Sequence, residues 1–579
     1  MIYELMITRF RGINSLTWQP AKGVNLVLGG GDVGKSTILD AIGLLLSPTN
    51  AANLSDTDYH LRDVAAEFAI EAIMSLPLEG MVNQQVKPSW PWAWNGSTAV
   101  VPNIEDDGST ASEAVYRVRV RGTAELELVF EIVQPDGADD HFTVALRRSI
   151  GLVRLGGDDR SDRDLRLVQG SALDRLLSDK ALRSRIASEL AKTDVQDQLA
   201  SEAKEALGEL DKAFGKESLP TGLDVSITGG PGASIASLIG LRARNAGVQL
   251  PLASWGAGTR RLSALTIAEQ NQGEHPILLV DEVERGLEPY RQRMLLRKLQ
   301  AGRSQAFVTT HSPAAISAAS EAALWYVDHD QRVGPLAAAK IAKHRAKDPD
   351  MFLARMAIVC EGITEVGFAT ALLEAALSSS LQQHGVHVSD GGGNDTTLDL
   401  LEALAEGGLS FGGFVDDEGT HPDRWKAVRA AHGPLLFRWA SGCIEENILR
   451  AVADDRLEAF LIDPDGEETG ARLRTLADRM SMGDEKGFAA LQAKAGAAFR
   501  DLIVAAATGA VLAGVEDRES KRIHKAHARC WFKNNEGGRE LAKKTFQLGC
   551  WPAVSGELLP FCNAIRRTVG LDDVPDVQL

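Results

Sequence analysis

The segment GVNLVLGGGDVGKSTILDAI, residues 23–42, constrains the fold of this chain more than any other stretch. Apolar residues of strand character lead into a glycine-rich turn, and a helix-forming run follows. The turn fits the pattern G-x-x-x-x-G-K-[ST]. A strand that enters such a loop and a helix that leaves it predict a parallel α/β sheet with phosphates bound at the helix N-terminus.

Each defining residue of the loop has a chemical reason to be there. Small glycines let backbone N–H groups close around phosphates, a lysine reaches the terminal phosphates, and a hydroxyl holds Mg²⁺. The alternative, a glycine turn without a ligand, is disfavoured by the flanking strand and helix. The residues predicted to bind ATP and its Mg²⁺ are Gly29, Gly31, Gly34, Lys35, Ser36 and Thr37.

Two later strands end in polar residues that suit nucleotide hydrolysis. In HPILLVDEVERGLEP, residues 277–280 predict a buried parallel strand followed by Asp281 and Glu282. The first carboxylate is expected to hold the Mg²⁺ shell, and the second to polarise the attacking water. In AFVTTHSP, Thr310 and His311 follow another strand, where a side chain could sense the γ-phosphate.

The order of these motifs resembles the ABC-type ATPase heads of chromosome-maintenance and recombination proteins. The segment SWGAGTRRLSAL stands where such heads carry a signature motif that serves the nucleotide of a partner subunit. Ser254, Gly256 and Gly258 are the matching small residues, although the segment is not L-S-G-G-Q. No clear Q-loop glutamine is seen, and SDTDYHLRD occupies its expected place. The resemblance implies a homodimer or a higher even-numbered oligomer.

A helical insert is predicted inside this head. Residues 171–219 carry apolar side chains at helical spacing, at Leu173, Leu176, Leu177, Leu182 and Ile186. Two interpretations stay open, a dimerisation arm and a capping insert. Two interpretations also stay open for the segment SWPWAWNG: a base-stacking loop and a loop that packs on its own domain.

Composition sets broad limits on the class of protein. A chain of 579 residues exceeds one core and predicts two or three domains. A formal charge of −17 argues against a generally basic surface but leaves room for a local basic groove. Five scattered cysteines, no signal peptide and no membrane-spanning apolar run favour a reduced, cytoplasmic protein without a membrane partner.

The second half places acids after successive strands. MAIVCEGITEVGF predicts a strand that ends at Glu361, with Glu365 one turn into the next helix. GVHVSDGGG ends in Asp390, LSFGGFVDDEG ends in the run Asp416, Asp417 and Glu418, and GCIEENIL adds Glu445 and Glu446. Carboxylates at the carboxyl ends of parallel strands face one crevice.

Converging carboxylates repel each other unless a cation lies between them. Oxygen ligands without histidine favour hard cations, so Mg²⁺, Mn²⁺ or Ca²⁺ is expected. Two such ions can clamp the attacking and leaving oxygens of a phosphodiester. The alternative is a set of solvated acidic loops. The predicted ligands are Glu361, Glu365, Asp416, Asp417, Glu418 and Glu445.

This layout resembles a Toprim domain over roughly residues 355–449. The second acidic motif is D-D-E in place of the common D-x-D, and within the resemblance this difference favours a nuclease. An ABC head followed by a Toprim domain resembles the OLD (overcoming lysogenization defect) family of ATP-binding nucleases, nearest to the class in Gabija-like phage-defence systems. That resemblance assigns Lys533 a role near the scissile phosphate. The run RESKRIHKAHARCWFK is the densest basic stretch and is either a DNA-phosphate contact or a solvated helix face.

The predicted fold class is therefore α/β, with an ABC-type P-loop head, a helical dimerisation insert, a Toprim domain and a small helical C-terminal region. The implied function is an ATP-binding, metal-dependent DNA endonuclease, with Glu282, His311 and Lys533 as catalytic residues and, in some members, a helicase partner. The alternative is an ABC-type DNA clamp with a regulatory, non-cleaving second half. The expected boundaries are 1–165 and 221–345 for the head, 166–220 for the insert, 355–450 for the Toprim core and 451–579 for the remainder.

Overall fold

The computed structural model divides the chain into two compact units, Met1–Ala338 and Ala339–Leu579. It describes the chain except at residues 32, 51–53, 77–89, 103–112, 156–163, 169–170, 178–195, 197–198, 228–238, 246, 271–275, 407–409, 464–467, 484 and 579.

The described strands of the first unit belong to three sheets. They are β1 (Ile2–Phe10), β2 (Ile13–Trp18), β3 (Val24–Gly29), β4 (Phe68–Met74), β5 (Trp92–Trp94), β6 (Ala99–Val100), β7 (Glu113–Gly122), β8 (Leu128–Val133), β9 (Asp140–His141), β10 (Val153–Leu155), β11 (Thr221–Ile227), β12 (Ile239–Asn245), β13 (Val248–Pro251), β14 (Leu278–Val280), β15 (Ala306–Thr309), β16 (Ala323–Val327) and β17 (Val333–Leu336). The helices are α1 (Lys35–Leu45), α2 (Val144–Ile150), α3 (Ala172–Leu177), α4 (Ser201–Lys216), α5 (Ala257–Glu269), α6 (Pro289–Ala301) and α7 (Pro313–Ala318).

A six-stranded sheet in the order β10-β14-β15-β3-β16-β17 positions the nucleotide motifs. Its strands are parallel except for the last pair. The central strands β14, β15 and β3 are wholly buried, which is why their sequences are apolar throughout. Because these neighbours run in the same direction, the loops after Gly29, Val280 and Thr309 leave from one edge of the sheet.

An antiparallel sheet covers the other side of α1. Its order is β2-β1-β4-β7-β5-β6, with β8 and β9 continuing from β7. Apolar residues of this sheet, such as Ile7 and Val118, share one core with Ile38 of α1 and Phe307 of β15. Trp92 and Trp94 pack on the same unit, with the Trp92 indole donating to the carbonyl of Val133 over 2.8 Å.

The described residues of the predicted insert include helices α3 and α4, and α4 packs beside the sheet β11-β12-β13. Of the apolar positions behind that prediction, Leu173 and Leu177 are buried, whereas Leu182 and Ile186 lie outside the described residues. The apolar face of α4 is also buried, with Leu210 and Phe214 fully enclosed. In its described part, this stripe packs within the first unit.

The second unit has a parallel sheet in the order β19-β18-β20-β21. Its strands are β18 (Met356–Cys360), β19 (Val386–Asp390), β20 (Phe411–Val415) and β21 (Leu436–Arg438). Its helices are α8 (Ala338–Lys347), α9 (Ile363–Leu377), α10 (Asn394–Glu406), α11 (Pro422–His432), α12 (Ile444–Ala451), α13 (Leu457–Leu461), α14 (Thr469–Arg479), α15 (Phe488–Ala495), α16 (Phe499–Thr508), α17 (Arg518–His527), α18 (Asn535–Gln547) and α19 (Trp551–Thr568).

One hydrophobic core runs through this unit, from Met356 on β18 to Val577 beyond α19. The sheet and the C-terminal helices therefore form one body. The closest approach joins α9 and α18. A Cβ added to Gly367 would lie 2.0 Å from the Asn535 carbonyl oxygen, and one added to Gly538 would lie 2.1 Å from that of Thr364. Only glycine fits at either position.

Candidate nucleotide site and candidate metal centre

The loop between β3 and α1 has the geometry of a phosphate-binding turn. Gly29 and Gly34 have φ angles of +148° and +101°, which glycine adopts without strain. A side chain at Gly29 would also lie 2.6 Å from the Val327 carbonyl oxygen. The Lys35 ammonium is buried under the loop and donates to the carbonyls of Gly29 (3.0 Å) and Gly30 (2.5 Å). The lysine charge is thus held where a phosphate would meet it.

Ser36 and Asp281 meet at the sheet edge. The Ser36 hydroxyl donates to Oδ1 of Asp281 over 3.0 Å, and the Thr309 hydroxyl donates to the same oxygen over 2.6 Å. Thr309 also accepts a hydrogen bond from the backbone N–H of Glu282 at 2.8 Å. These contacts join the three motifs that the sequence places far apart, with a hydroxyl and a carboxylate suited to Mg²⁺ side by side.

Glu282 and His311 are both open to solvent. The Glu282 side chain is 48% exposed, and its φ of +48° is unusual for a residue with a side chain. His311 is exposed, and its backbone N–H donates to Glu284 over 2.7 Å. The Thr310 hydroxyl donates to the other oxygen of Glu284, also over 2.7 Å.

Arg261 holds the loop after β14 through hydrogen bonds to backbone carbonyls. It is 3% exposed, and its guanidinium donates to the carbonyls of Leu155, Asp281, Glu282 and Arg285. Burial lowers the pKa of this guanidinium, because the charged form loses water. Sequence analysis missed both Arg261 and Glu284. Both are polar residues inside motifs that the sequence had already singled out, and that position was the signal that could have identified them.

The predicted signature residues lie at the start of α5. Ser254 and Gly256 are exposed, and Gly256 is the N-cap of the helix. Gly258 is buried, and a Cβ at this position would lie only 2.2 Å from the Gly286 carbonyl oxygen. Of the other predicted phosphate contacts, Gly31 is exposed and Thr37 is partly buried. The helix start therefore presents backbone N–H groups to the surface.

In the second unit, the predicted acids converge on one pocket of about 540 Å³. Glu361 follows β18, Glu365 lies in the first turn of α9, and Asp416 follows β20. The backbone N–H of Asp416 donates to Oε2 of Glu361 over 3.2 Å, and that of Ile444 donates to Oδ1 of Asp416 over 3.1 Å. The pocket is also lined by Asp417, Glu418 and Lys533.

Lys533 reaches the acids from the segment before α18. Its ammonium lies 2.6 Å from Oε1 of Glu445, which is 1% exposed. The lysine is fixed by its neighbours, since the hydroxyl of Thr364 on α9 donates to the Phe532 carbonyl over 3.0 Å. Asn534 then caps α18 by accepting from the Gly537 N–H over 2.7 Å.

The carboxylates of this pocket perturb each other. Burial raises the pKa of Glu361 to about 7, and the nearby charges of Glu418 and Glu365 add to that rise. Burial and the charge of Glu445 raise the pKa of Glu365. Burial and the charges of Glu365 and Glu445 raise the pKa of Asp416 well above its usual range. Burial opposes the charge of Lys533, yet Glu445 raises its pKa overall.

This donor set fits a hard divalent cation. The buried Oε2 of Glu445 has no hydrogen-bond partner among the described residues, which suits an oxygen that would bind a cation. One oxygen each of Asp416 and Glu445 and the Cys443 sulfur lie within 4.8 Å of one another. Burial and the charge of Glu445 raise the pKa of the Cys443 thiol, so this cysteine stays a neutral thiol and the hard oxygen donors are the carboxylates.

The remaining predicted acids are placed differently. Oδ1 of Asp417 accepts from Arg438 (2.6 Å) and from the Gly419 N–H (2.9 Å). Glu418 is exposed at the pocket and shares a side-chain hydrogen bond with Glu361. Sequence analysis left Glu445 and Glu446 as alternatives. Glu445 pairs with Lys533, whereas Glu446 lines the pocket and pairs with Arg450 over 2.6 Å.

Comparisons with known proteins bear on the first unit. Residues 116–317 match the model of a family described as "AAA domain, putative AbiEii toxin, Type IV TA system". Together with the loop geometry, this match identifies the first unit as carrying an ATP-binding P-loop ATPase domain. No curated protein matches the sequence. No helix in the described part of the chain combines the length and apolar character needed to cross a membrane.

The chain also matches several solved structures, each with a TM-score below 0.5. They include the SmcHead bound to the C-winged helix domain of ScpA, at 17% identity and a TM-score of 0.37 over 59% of this chain and 99% of that one. The recombination mediator protein RecF with ATPrS is 15% identical, with a TM-score of 0.34 over 58% of this chain and 98% of that one. An SMC head domain from Thermotoga maritima is 13% identical, with a TM-score of 0.29 over 58% of this chain and 98% of that one.

Proposed function

We propose that this protein is an ATP-binding, divalent-metal-dependent DNA endonuclease of the OLD type, with a Toprim-like metal centre in its second unit. The observation that carries the proposal is the convergence of Glu361, Glu365 and Asp416 with Lys533 on one pocket, together with the pairing of Lys533 with the buried Glu445. Buried carboxylates with raised pKa values are costly without a cation. A phosphodiester is a substrate whose chemistry needs both cations and a fixed positive charge.

Each residue of the pocket has a distinct part in the proposed reaction. The carboxylates would hold Mg²⁺, Mn²⁺ or Ca²⁺ through oxygen ligands. Such ions, when bound, lower the pKa of water and stabilise charge on the attacking and leaving oxygens. Lys533 offers a positive charge at the pocket, and its raised pKa keeps that charge at every physiological pH. It would stabilise charge that develops on the phosphate.

The first unit would control access through ATP. Lys35, Ser36 and Asp281 would hold the nucleotide and its Mg²⁺, and the exposed Glu282 would orient the attacking water. The exposed start of α5, with Ser254 and Gly256, would contact the nucleotide of a second copy, in a homodimer or a higher even-numbered oligomer. The family resemblance extends the proposal to phage defence and to a helicase partner.

Nicking of supercoiled plasmid DNA by the full chain tests the proposal, with Mg²⁺, Mn²⁺ and Ca²⁺ added in turn. Wild type should nick in at least one metal and not in EDTA. Glu361→Gln and Asp416→Asn should abolish nicking and keep ATP hydrolysis, because the ATP motifs belong to the other unit. The control is Asp395→Asn, an exposed acid on α10 that does not line the pocket. Equal nicking by wild type and Glu361→Gln would refute the metal centre.

The same assay addresses the alternative of a non-cleaving DNA clamp. A clamp would hydrolyse ATP and retain DNA but would leave the plasmid intact in every metal. The buried, unpartnered Oε2 of Glu445 favours the endonuclease, because a regulatory domain has no need of an acid that lacks a partner.

A further inference from the structure

A second cavity, of about 530 Å³, lies beside the metal pocket. It is bounded by α11, by the edge strand β21 and by α19. Asp417 belongs to the walls of both cavities. A ligand bound at the metal pocket could therefore continue into this second space, which has the volume of a typical small-ligand site.

The cavity lining carries more positive than negative side chains, with Lys426, Arg429 and Arg438 against Asp417 and Glu557. Lys426 and Arg429 lie three residues apart on α11, so they share one helix face, and both are exposed. Among the described residues, Lys426 has no ion-pair partner, and Arg429 donates only to the Arg438 carbonyl, over 3.4 Å. Two cations on one rim favour an anionic group such as a phosphate.

The floor of the cavity is aromatic and holds unpaired donors. Trp425 and Trp439 are 2% and 3% exposed, and in the described residues neither indole N–H has a hydrogen-bond partner. Arg438 connects this floor to the metal pocket. Its guanidinium lies 5.2 Å from the Trp425 ring centroid and 2.6 Å from Oδ1 of Asp417. Its buried Nε also lacks a partner in that part of the chain.

We propose that this cavity binds one nucleotide of a nucleic-acid strand, next to the phosphate held in the metal pocket. Lys426 and Arg429 contact its phosphate, and the base lies over the apolar floor of the cavity. Basic grooves with aromatic walls bind single strands in this way, independently of sequence. The inference rests on the proposed nuclease function, and it adds a place for the strand beyond the reacting phosphate.

Binding of a fluorescein-labelled, ten-nucleotide oligothymidine to the full chain in Ca²⁺ tests this subsite by anisotropy. Lys426→Ala/Arg429→Ala should weaken affinity about tenfold and reduce the slope of log K against log salt by about 1.4, since each single-strand phosphate contact contributes about 0.7. Ala440→Trp should fill the cavity from an exposed position and weaken affinity with the slope unchanged. Lys543→Ala, an exposed lysine on α18, is the matched charge control.

Each outcome of this experiment either supports or overturns the proposed subsite. Loss of affinity in both the double variant and Ala440→Trp, with normal melting curves and a normal Lys543→Ala protein, supports the subsite. Wild-type affinity in Ala440→Trp, or equal losses in the double variant and the control, overturns it. No arm requires cleavage. If wild type binds through this cavity but never nicks DNA, the endonuclease proposal fails alone, and if it nicks while the variants bind normally, the subsite fails alone.

Discussion

The Lys533 ammonium lies 2.6 Å from Oε1 of Glu445, a carboxylate that is almost fully buried. The lysine comes from the segment before α18 and the glutamate from the first turn of α12. This ion pair ties the C-terminal helices to the acidic edge of the sheet. It compensates one negative charge of the cluster and leaves Oε2 of Glu445 without a partner among the described residues.

Lys533→Ala should therefore lower both activity and stability. Loss of the charge leaves Glu445 buried and unpaired, which costs about 2 kcal/mol and should lower the Tm of the metal-free protein by roughly 5 °C for a unit of this size. Adding Glu445→Gln to the same chain should recover most of the lost stability. Nicking should fall by about 10²–10³ with little change in DNA affinity. A double variant less stable than Lys533→Ala would contradict the pairing.

Glu445 and Glu446 provide a matched pair for testing metal binding. They are neighbours on α12, but the Glu445 carboxylate is buried beside Asp416, whereas Glu446 lines the pocket already paired with Arg450. Metal that binds only the folded chain raises its stability by about 2.7 kcal/mol at a hundredfold excess over Kd. Mn²⁺ should raise the Tm of wild type and Glu446→Gln alike, and much less that of Glu445→Gln. The reverse ranking would assign the ligand to Glu446.

Metal-free protein should lose stability as pH rises. The folded-state pKa of Glu361 is about 7, against an ordinary value of 4.5, because burial and neighbouring acids disfavour its charge. Between these values the folded chain keeps a proton that the unfolded chain has lost. The contribution is thus fully present below pH 4.5 and is lost as pH rises through about 7.

The control for this pH dependence is Glu361→Gln, which cannot ionise at that position. In EDTA, the Tm of Glu361→Gln minus that of wild type should increase from about pH 5 to about pH 8. A Tm difference that stays constant over this range would show that Glu361 ionises in the folded chain as it does in water.

Lys35→Ala and Glu282→Gln should separate nucleotide binding from hydrolysis. Lys35 lies buried under the phosphate loop, so its loss should abolish ATP binding in a filter or calorimetric assay. The exposed Glu282 has no part in holding the loop through its side chain, so Glu282→Gln should bind ATP normally and hydrolyse it slowly. Equal loss of affinity in both variants would exclude the proposed role of Glu282.

Strand–acid–helix patterns made much of the candidate site predictable. The run around Glu361 and Glu365 predicts a buried strand followed by a helix, and β18 and α9 have that arrangement. The partners of these acids were less accessible. Arg438 pairs with Asp417 across parallel strands, and no local pattern marks such a contact. Lys533 was placed by family resemblance alone, since its position depends on how two distant helices pack.

The glycine contact between α9 and α18 has a consequence for evolution and engineering. Gly367 and Gly538 each face backbone of the opposite helix at distances that exclude a side chain. One helix carries Glu365 and the other begins just after Lys533, so the two surfaces must change together. Recombination between related chains with a crossover in the stretch between these helices would join mismatched halves. We expect functional chimaeras to exchange the second unit whole, as a single heritable module.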